Sequence, residues 1–293
     1  MLFCPAFERL FFWCASGGLC AERRGNTGAL NKNMITLMKD FISLGFYACS
    51  RVFQGANPDN EAVLVYHSIS DMKPRDDLYK INIQTQLFAR HLEFISKAKI
   101  TNLILTFDDG FENFFSNAFR AILRYNIKTV LFISTDFIEG KFSFDHLFGN
   151  NCGLKPLSWQ QVKEIADSGI EIGSHAISHR NLTSMDIKGA HREISESKKI
   201  IEDKIGRAVK YFAYPYGSRA AFDDRLKQMA MAAGYKKAYV NIMGFNRRDS
   251  DQYALRRIRI YADDIMPRFK MKIAGAYNWI DRINNFRKQK SNA

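Results

Sequence analysis

The sequence has few of the features that mark disulfide-stabilised or metal-ribbon proteins. It contains five cysteines in 293 residues. The number is odd and four of them precede residue 50, so they do not suggest a framework of disulfides. No C-x-x-C pair occurs, which argues against a zinc ribbon or a thioredoxin site. Reduced thiols indicate a location in the cytoplasm or at the cytoplasmic face of a membrane, with a periplasmic or secreted location as the alternative.

Long apolar runs are also lacking. The run Leu10–Trp13 is too short to span a bilayer, and no clean basic segment precedes it. We interpret residues 1–33 as a poorly structured extension, with Met34 or Met38 as an alternative start. Residues 34–58 are interpreted as an amphipathic helix and linker. This helix either packs on the domain or lies on a membrane surface, and a poor signal peptide is the third interpretation.

Acidic residues are outnumbered by basic ones, 30 to 43, which gives a formal net charge of +13. The basic residues are scattered, and the sequence shows no long basic helix, nucleic-acid-binding motif or zinc finger. We therefore expect no nucleic-acid partner. Most of the charge is interpreted as solvated surface, and peripheral contact with an anionic membrane is the second interpretation.

From about residue 60, short β-branched or aromatic runs alternate with helical patterns. The predicted strands are Val63–His67, Leu103–Phe107, Thr129–Ser134, Ile170–Ser174, Tyr211–Tyr214, Lys237–Val240 and Ile258–Tyr261. The predicted helices between them are Gln84–Lys97, Asn113–Tyr125, Ser158–Ser168, Ile187–Ile205 and Phe222–Ala233. Such alternation predicts parallel βαβ units and a nearly closed α/β barrel, in which the chemistry collects at the carboxyl ends of the strands. We assign residues 59–270 to this domain and residues 271–293 to a C-terminal helix and basic tail.

The first candidate site residues are two adjacent carboxylates, Asp108 and Asp109, at the end of a predicted strand. Their mutual repulsion is costly unless a cation or hydrogen bonds offset it. Because neighbouring side chains at a strand end point in different directions, one can bind a metal while the other reaches a water. An N-cap for the following helix is the alternative interpretation.

Two histidines, His175 and His179, follow another strand at a spacing of four residues. If a helical turn begins there, both rings lie on one face and can bind one ion. Two imidazoles and one carboxylate form a three-ligand divalent site with open positions. Two unrelated surface histidines are the alternative.

Two further strand ends carry candidate residues. Pro215 ends one strand because it has no N–H to donate, and a backbone N–H in the turn at Tyr216 and Gly217 could stabilise an oxyanion. His67 ends the first strand, and its imidazole could protonate a leaving group. The alternative for the turn is an ordinary exit from a strand into a loop, and the alternative for His67 is a buried core histidine.

Together these motifs resemble the polysaccharide deacetylases of carbohydrate esterase family 4, also called nodulation-type chitooligosaccharide deacetylases. The matching segments are T-F-D-D-G at 106–110, S-H-A-I-S-H at 174–179 and F-A-Y-P-Y-G at 212–217. The resemblance extends from about Val63 to about Tyr261. It implies a distorted (β/α)7 barrel with an N-terminal helical extension. It also implies a hydrolase that removes N-acetyl groups from amino sugars in a polysaccharide, oligosaccharide or lipid-linked glycan.

The resemblance also implies a role for each matching residue. Asp108 corresponds to the general base, and Asp109, His175 and His179 correspond to the ligands of one divalent metal ion. Zn²⁺ is the first choice, with Co²⁺, Ni²⁺ and Fe²⁺ as alternatives. The backbone N–H of Tyr216 corresponds to the oxyanion donor.

The sequence departs from the family pattern in two places. Ala213 stands where many relatives have an arginine that orients the base, so we expect Arg257 to take that role. No histidine follows His191, so the usual late acid is absent and we assign His67 as the general acid. Three alternatives stay open: hydrolysis of a formamide or cyclic amide, hydrolysis of an O-acetyl ester, and an inactive carbohydrate-binding homologue.

Overall fold

The computed structural model describes residues 36–45, 47, 60–71, 77, 79–98, 100–145 and 154–279. The chain divides into two compact units, Met1–Ile42 and Ser43–Ala293. The extension expected at 1–33, most of the linker within 34–58 and the tail beyond residue 279 lie outside the described residues. Residues 36–45 are helical, within the segment where the sequence predicts an amphipathic helix. None of the helices in the described part of the chain has the length and apolarity to cross a membrane.

The core of the second unit is a parallel sheet of seven strands. These are β1 (Ala62–Tyr66), β4 (Leu103–Phe107), β5 (Thr129–Ile133), β6 (Glu171–Ser174), β7 (Tyr211–Ala213), β8 (Lys237–Tyr239) and β9 (Ile258–Arg259). Their order across the sheet is β8-β7-β6-β5-β4-β1-β9. Two short strands that the sequence did not predict, β2 (Ser68–Ile69) and β3 (Asn82–Ile83), pair with each other. Because every described pairing in the large sheet is parallel, all seven carboxyl ends lie at one edge.

The sheet curls so that its two outer strands approach each other. An isolated parallel bridge joins Tyr239 of β8 to Leu255, three residues before β9. The Leu255 N–H donates to the Ala238 carbonyl at 2.9 Å, and its own carbonyl accepts from the Val240 N–H at 2.8 Å. The segment that leads into β9 therefore bonds to β8, while β9 itself pairs with β1. The predicted distorted (β/α)7 fold is confirmed.

Eight described α-helices accompany the strands. They are α1 (36–45), α2 (Thr85–Lys97), α3 (Arg120–Tyr125), α4 (Thr135–Ile138), α5 (Trp159–Asp167), α6 (Ile187–Ile205), α7 (Asp224–Ala232) and α8 (Met266–Ile273). The helix predicted at Asn113–Tyr125 is instead a π-helix, Phe114–Phe119, that continues into α3. Two asparagines, one just before this π-helix and one within it, bond to β2. The Ile69 N–H donates to the Asn113 side chain at 3.2 Å, and the Asn117 side-chain amide donates to the Ile69 carbonyl at 2.8 Å.

Two apolar clusters show which sheet face lines the barrel. The larger includes helix residues such as Leu92 and Ile194, so it lies between sheet and helices. Only strand and near-strand residues form the smaller cluster, which is the barrel interior: Val63, Ile104, Val130, Phe132, Ala213, Tyr239 and Leu255, with Tyr211 beside it. Side chains alternate along a strand, so Thr106 and Asp108 continue the interior face of Ile104. The interior thus changes from apolar to polar towards the carboxyl edge of the sheet.

Candidate active site

The side chains expected to carry the chemistry meet at the carboxyl edge of the sheet. His67 follows β1, Asp108 and Asp109 follow β4, and His175 begins the loop after β6. β1 and β4 are paired in register up to Tyr66 and Phe107, and the Asp108 N–H donates to the Tyr66 carbonyl at 3.0 Å. The parallel pairing therefore places His67 and Asp108 at neighbouring positions of the same edge.

Three potential metal ligands converge on one point. The Nε2 atoms of His179 and His175 lie 3.2 and 3.6 Å from Oδ1 of Asp109. The ligand atoms of the three residues all lie within 4.8 Å of one another. Within the described part of the chain, Asp109 Oδ1 is buried without any hydrogen-bond partner. A buried carboxylate oxygen facing two imidazole nitrogens without a hydrogen bond fits a divalent cation bound between them.

The surroundings of His175 prepare its ring to act as a ligand. Its Nδ1 lies 2.7 Å from the carbonyl oxygen of Ala213, so the Nδ1–H donates there and Nε2 keeps its lone pair. Burial lowers the pKa of His175 to about 4, so the ring is neutral at pH 7. Ala213 therefore contributes a backbone carbonyl at the position where the sequence lacks the family's arginine.

Arg257 and Asp108 form a buried two-pronged ion pair. Nη1 and Nη2 of Arg257 lie 2.7 and 2.8 Å from the two carboxylate oxygens of Asp108, and both residues are 1% exposed. The guanidinium also donates to the Val240 carbonyl at 3.2 Å and to the Thr106 hydroxyl at 3.3 Å. Arg256 faces another way, with Nη1 3.4 Å from the Met243 carbonyl. The expected contact between Arg257 and Asp108 is therefore present.

Charges around the two aspartates keep them ionised. Burial raises the pKa of Asp108, but the Arg257 guanidinium overrides this effect and holds the pKa well below its usual range. Burial likewise raises the pKa of Asp109, and the electrostatic effect of the neighbouring imidazoles, that of His179 first, brings the pKa below the ordinary value. One carboxylate is thus paired with a cation of the protein, and the other is oriented towards the imidazoles.

His67 and Tyr216 border this group of residues. Burial lowers the pKa of His67, and the charges of Asp109 and Asp108 oppose that shift. Its Nδ1 is buried and has no partner among the described residues. The Tyr216 ring is 53% exposed, with its centroid 5.1 Å from that of His179. The structure places both residues at the site, and their catalytic roles stay predictions.

Two residues near the histidines were not anticipated from the sequence. Phe144 packs edge-on against His179, with ring centroids 5.0 Å apart. Glu193 of α6 accepts hydrogen bonds from the loop between the two histidines. The sequence did contain a signal for Glu193, because it occupies a core-facing position of an amphipathic helix, next to Ile194 and four residues before Ser197.

Backbone strain is concentrated at the same edge. Six non-glycine residues in the described segments have positive φ, and four of them belong to the site: Asp109, Ala176, His179 and Tyr216. Left-handed backbone costs about 1–2 kcal/mol for most side chains. Strain of this kind occurs where the surrounding structure holds the backbone in place, as it does at functional sites.

The model of the polysaccharide deacetylase family matches residues 96–238. YxkH of Bacillus subtilis, named as a polysaccharide deacetylase, is 24% identical over 224 residues, which cover 69% of this chain and 72% of that protein. A peptidoglycan-N-acetylglucosamine deacetylase of Bacillus cereus is 30% identical over 114 residues, 39% of this chain and 35% of that protein. The solved structure of Streptococcus pyogenes deacetylase PplD in complex with acetate has the same fold. Its TM-score is 0.61 at 20% identity, covering 74% of this chain and 99% of that one. The family match, the shared fold and the three strand-end motifs all point to the polysaccharide deacetylases as the family that this chain resembles.

Proposed function

We propose that this protein is a metal-dependent hydrolase that removes the N-acetyl group from an amino sugar in a polysaccharide, oligosaccharide or lipid-linked glycan. One observation carries the proposal: Asp108, held by Arg257, lies beside a convergent set of one carboxylate and two imidazoles. This arrangement separates a group that can take a proton from the groups that can bind a cation.

Asp109, His175 and His179 are the residues that would hold the cation. A divalent ion bound there would lower the pKa of a water and polarise the acetamide carbonyl. One carboxylate and two imidazoles leave open positions, as catalytic Zn²⁺ requires, and they also suit Co²⁺, Ni²⁺ and Fe²⁺.

The remaining steps belong to side chains and backbone around that set. Asp108 takes the proton of the attacking water, and Arg257 keeps the carboxylate ionised and in one orientation. The backbone N–H of Tyr216 donates to the developing oxyanion. His67 gives a proton to the departing amine; burial lowers the pKa of its ring, and the charges of Asp109 and Asp108 offset part of that shift. Acetate and a free amino sugar are the products.

The test is acetate release across a panel of N-acetylated glycans and lipid-linked sugars, before and after the metal is removed with a chelator. We expect about one divalent ion per chain, loss of activity on its removal and recovery on its return. Full activity of the metal-free protein would rule out the metal role. Glycan binding without acetate release would favour the inactive homologue, and release of formate or opening of a cyclic amide would favour the other hydrolases.

We further propose that α1 contacts an anionic membrane at its cytoplasmic face. Leu37, Phe41 and Leu44 are spaced like one helical face and are more than half exposed, and the chain carries a net charge of +13. We expect the protein to sediment with phosphatidylserine vesicles and much less with phosphatidylcholine vesicles. Phe41→Glu should weaken sedimentation several-fold, whereas the control Leu123→Glu, at another exposed leucine, should not. Equal recovery with both vesicles, or none, would contradict the proposal.

A further inference from the structure

A buried carboxylate on α6 holds the loop that joins His175 to His179. Oε2 of Glu193 accepts hydrogen bonds from the backbone N–H groups of Ile177 and Ser178 at 2.8 and 2.9 Å. Its Oε1 accepts one from the Ser178 hydroxyl at 2.6 Å. Glu193 is only 7% exposed. Three donors from one short loop thus converge on a single charged side chain, an arrangement stronger than neutral hydrogen bonds would be.

The other side of the same loop is held by α4. The Asp136 N–H, in the first turn of α4, donates to the Ile177 carbonyl at 3.0 Å, and the Thr135 N–H lies 3.4 Å from the Ala176 carbonyl. The Ile177 residue therefore has its N–H fixed by one helix and its carbonyl fixed by another. A loop held on both sides can keep an unfavourable backbone conformation.

That conformation is what brings the two imidazoles together. Ala176 has φ of 64° and His179 has φ of 53°, values that cost free energy for any side chain other than glycine. The two ring centroids lie 5.0 Å apart as a result. If the loop relaxed, its residues would return towards ordinary φ values. The two Nε2 atoms would then no longer both lie close to Oδ1 of Asp109.

We propose that Glu193 is a positioning residue for the cation: it binds no metal itself but fixes the distance and angle between His175 and His179. The inference rests on the proposed metal site. Groups that orient metal ligands typically change metal affinity by about 10- to 100-fold when altered. Glu193→Gln keeps the size of the side chain but replaces one acceptor oxygen with a donor NH₂, which opposes the donors of the loop.

The experiment measures Zn²⁺ affinity of the purified full chain by competition with a chromogenic chelator, well below the melting temperature of each variant. Glu196→Gln is the matched control, because Glu196 lies three residues away on α6 and pairs with Arg192 at the surface. We expect Glu193→Gln to weaken the Kd for Zn²⁺ by about 10- to 100-fold, and Glu196→Gln to leave it within twofold of the unchanged protein. A merely structural role would lower the melting temperature of the metal-free protein without changing the Kd.

Ser178→Ala gives a second reading if Glu193→Gln does not fold. It removes the 2.6 Å hydroxyl contact and leaves both backbone donors in place, so we expect a Kd a few-fold weaker. Normal Zn²⁺ affinity in Glu193→Gln would overturn the role of Glu193 but not the proposed metal site. If Glu193→Gln is unfolded, normal Zn²⁺ affinity in Ser178→Ala would have the same meaning. Failure of the unchanged protein to bind Zn²⁺ would overturn the proposed metal site and this inference together.

Discussion

At the scale of single residues, Asp108 and Asp109 are chemically identical neighbours with opposite surroundings. Both Asp108 oxygens accept from Arg257. Asp109 adopts φ of 77°, and its Oδ1 faces two imidazole nitrogens. The left-handed backbone at Asp109 turns its side chain away from the guanidinium. In the proposed mechanism these surroundings divide two tasks between the carboxylates: Asp108 takes a proton and Asp109 holds a cation.

Replacing Asp108 with asparagine should separate these tasks. We expect Asp108→Asn to lower turnover by about 10²- to 10⁴-fold, the usual contribution of a general base, with metal content near normal. Asp109→Asn is the comparison and should lose metal. Metal analysis and acetate release on the same preparations make the measurement. If Asp108→Asn loses its metal instead, the two roles are reversed.

Removing the guanidinium should alter both the rate and the pH dependence. In Arg257→Ala the burial of Asp108 is no longer opposed by its main counter-charge, so the pKa of Asp108 rises. We expect a loss of about 100-fold in activity and an acidic limb of the pH–rate profile that moves to higher pH. Arg256→Ala is the control, because its side chain points elsewhere. Metal should bind in both variants, and equal activities would exclude an orienting role for Arg257.

At the scale of elements, the turn after β4 determines where the two aspartates stand. Gly110 has φ of +91°, and a Cβ there would lie 2.9 Å from the Ile138 side chain and 3.0 Å from that of Ile133. The position thus requires glycine both for its backbone conformation and for its closeness to α4 and β5. The turn can be tight only because this residue has no side chain.

Two glycine substitutions can distinguish these requirements. Gly140 also has positive φ, at +69°, but a Cβ there meets nothing within 4 Å. We expect Gly140→Ala to lower the free energy of unfolding by about 1 kcal/mol, from backbone strain alone. Gly110→Ala should lose about 2–4 kcal/mol, because overpacking adds to the strain. Urea unfolding of the metal-free proteins gives both values, and equal losses would show that the close contact relaxes without cost.

At the scale of the whole molecule, buried histidines link stability to pH. Burial lowers the pKa of His91 to about 3 and that of His175 to about 4, and it also lowers the pKa of His67. His91 lies away from the metal ligands, on α2. Its ring stacks on Phe269 at 3.7 Å between centroids, and its Nδ1 lies 3.1 Å from the Tyr66 hydroxyl.

The metal-free protein should therefore lose stability in mild acid. Because the folded pKa values lie below the unfolded value of about 6.5, the unfolded chain binds protons first as the pH falls. The stability that the neutral histidines allow at pH 7 is lost progressively below about pH 6.5. The lowered pKa of Asp108 extends the loss below about pH 4, because the unfolded chain then also protonates this carboxylate before the folded protein does. We expect His91 alone to account for about 2.5 kcal/mol between pH 7 and 4.5. Urea unfolding across this range should show a smaller loss for His91→Gln than for the exposed control His191→Gln, and equal losses would contradict the expectation.

Local signals predicted much of this molecule. The bounds of α6 follow from Asp186, whose carboxylate accepts from the Gly189 N–H at 2.7 Å, and from Gly206, which ends the helix with φ of 70°. Several strands end one or two residues before their predicted ends. The apolar pattern of the sequence continues beyond the last hydrogen bond between paired strands. Val240, for example, is buried, but it follows the end of β8 and its N–H donates to the Leu255 carbonyl. The π-helix and the β2–β3 pair had no separate sequence signal.

The sequence by itself indicated the resemblance to polysaccharide deacetylases, the order of the seven strands of the large sheet along the chain, and four candidate site residues, Asp108, Asp109, His175 and His179. These residues come in short motifs, so neighbours along the chain suffice to reveal them. The sequence also predicted Arg257 as the partner of Asp108, but only the tertiary structure showed that contact and revealed which carboxylate holds the histidine loop. Arg257 is 149 residues from Asp108 in the chain, and it reaches that carboxylate because β9, which follows Arg257, pairs with β1, and β1 pairs with β4. Long-range contacts of this kind depend on how strands close and helices pack, which no local pattern of residues encodes.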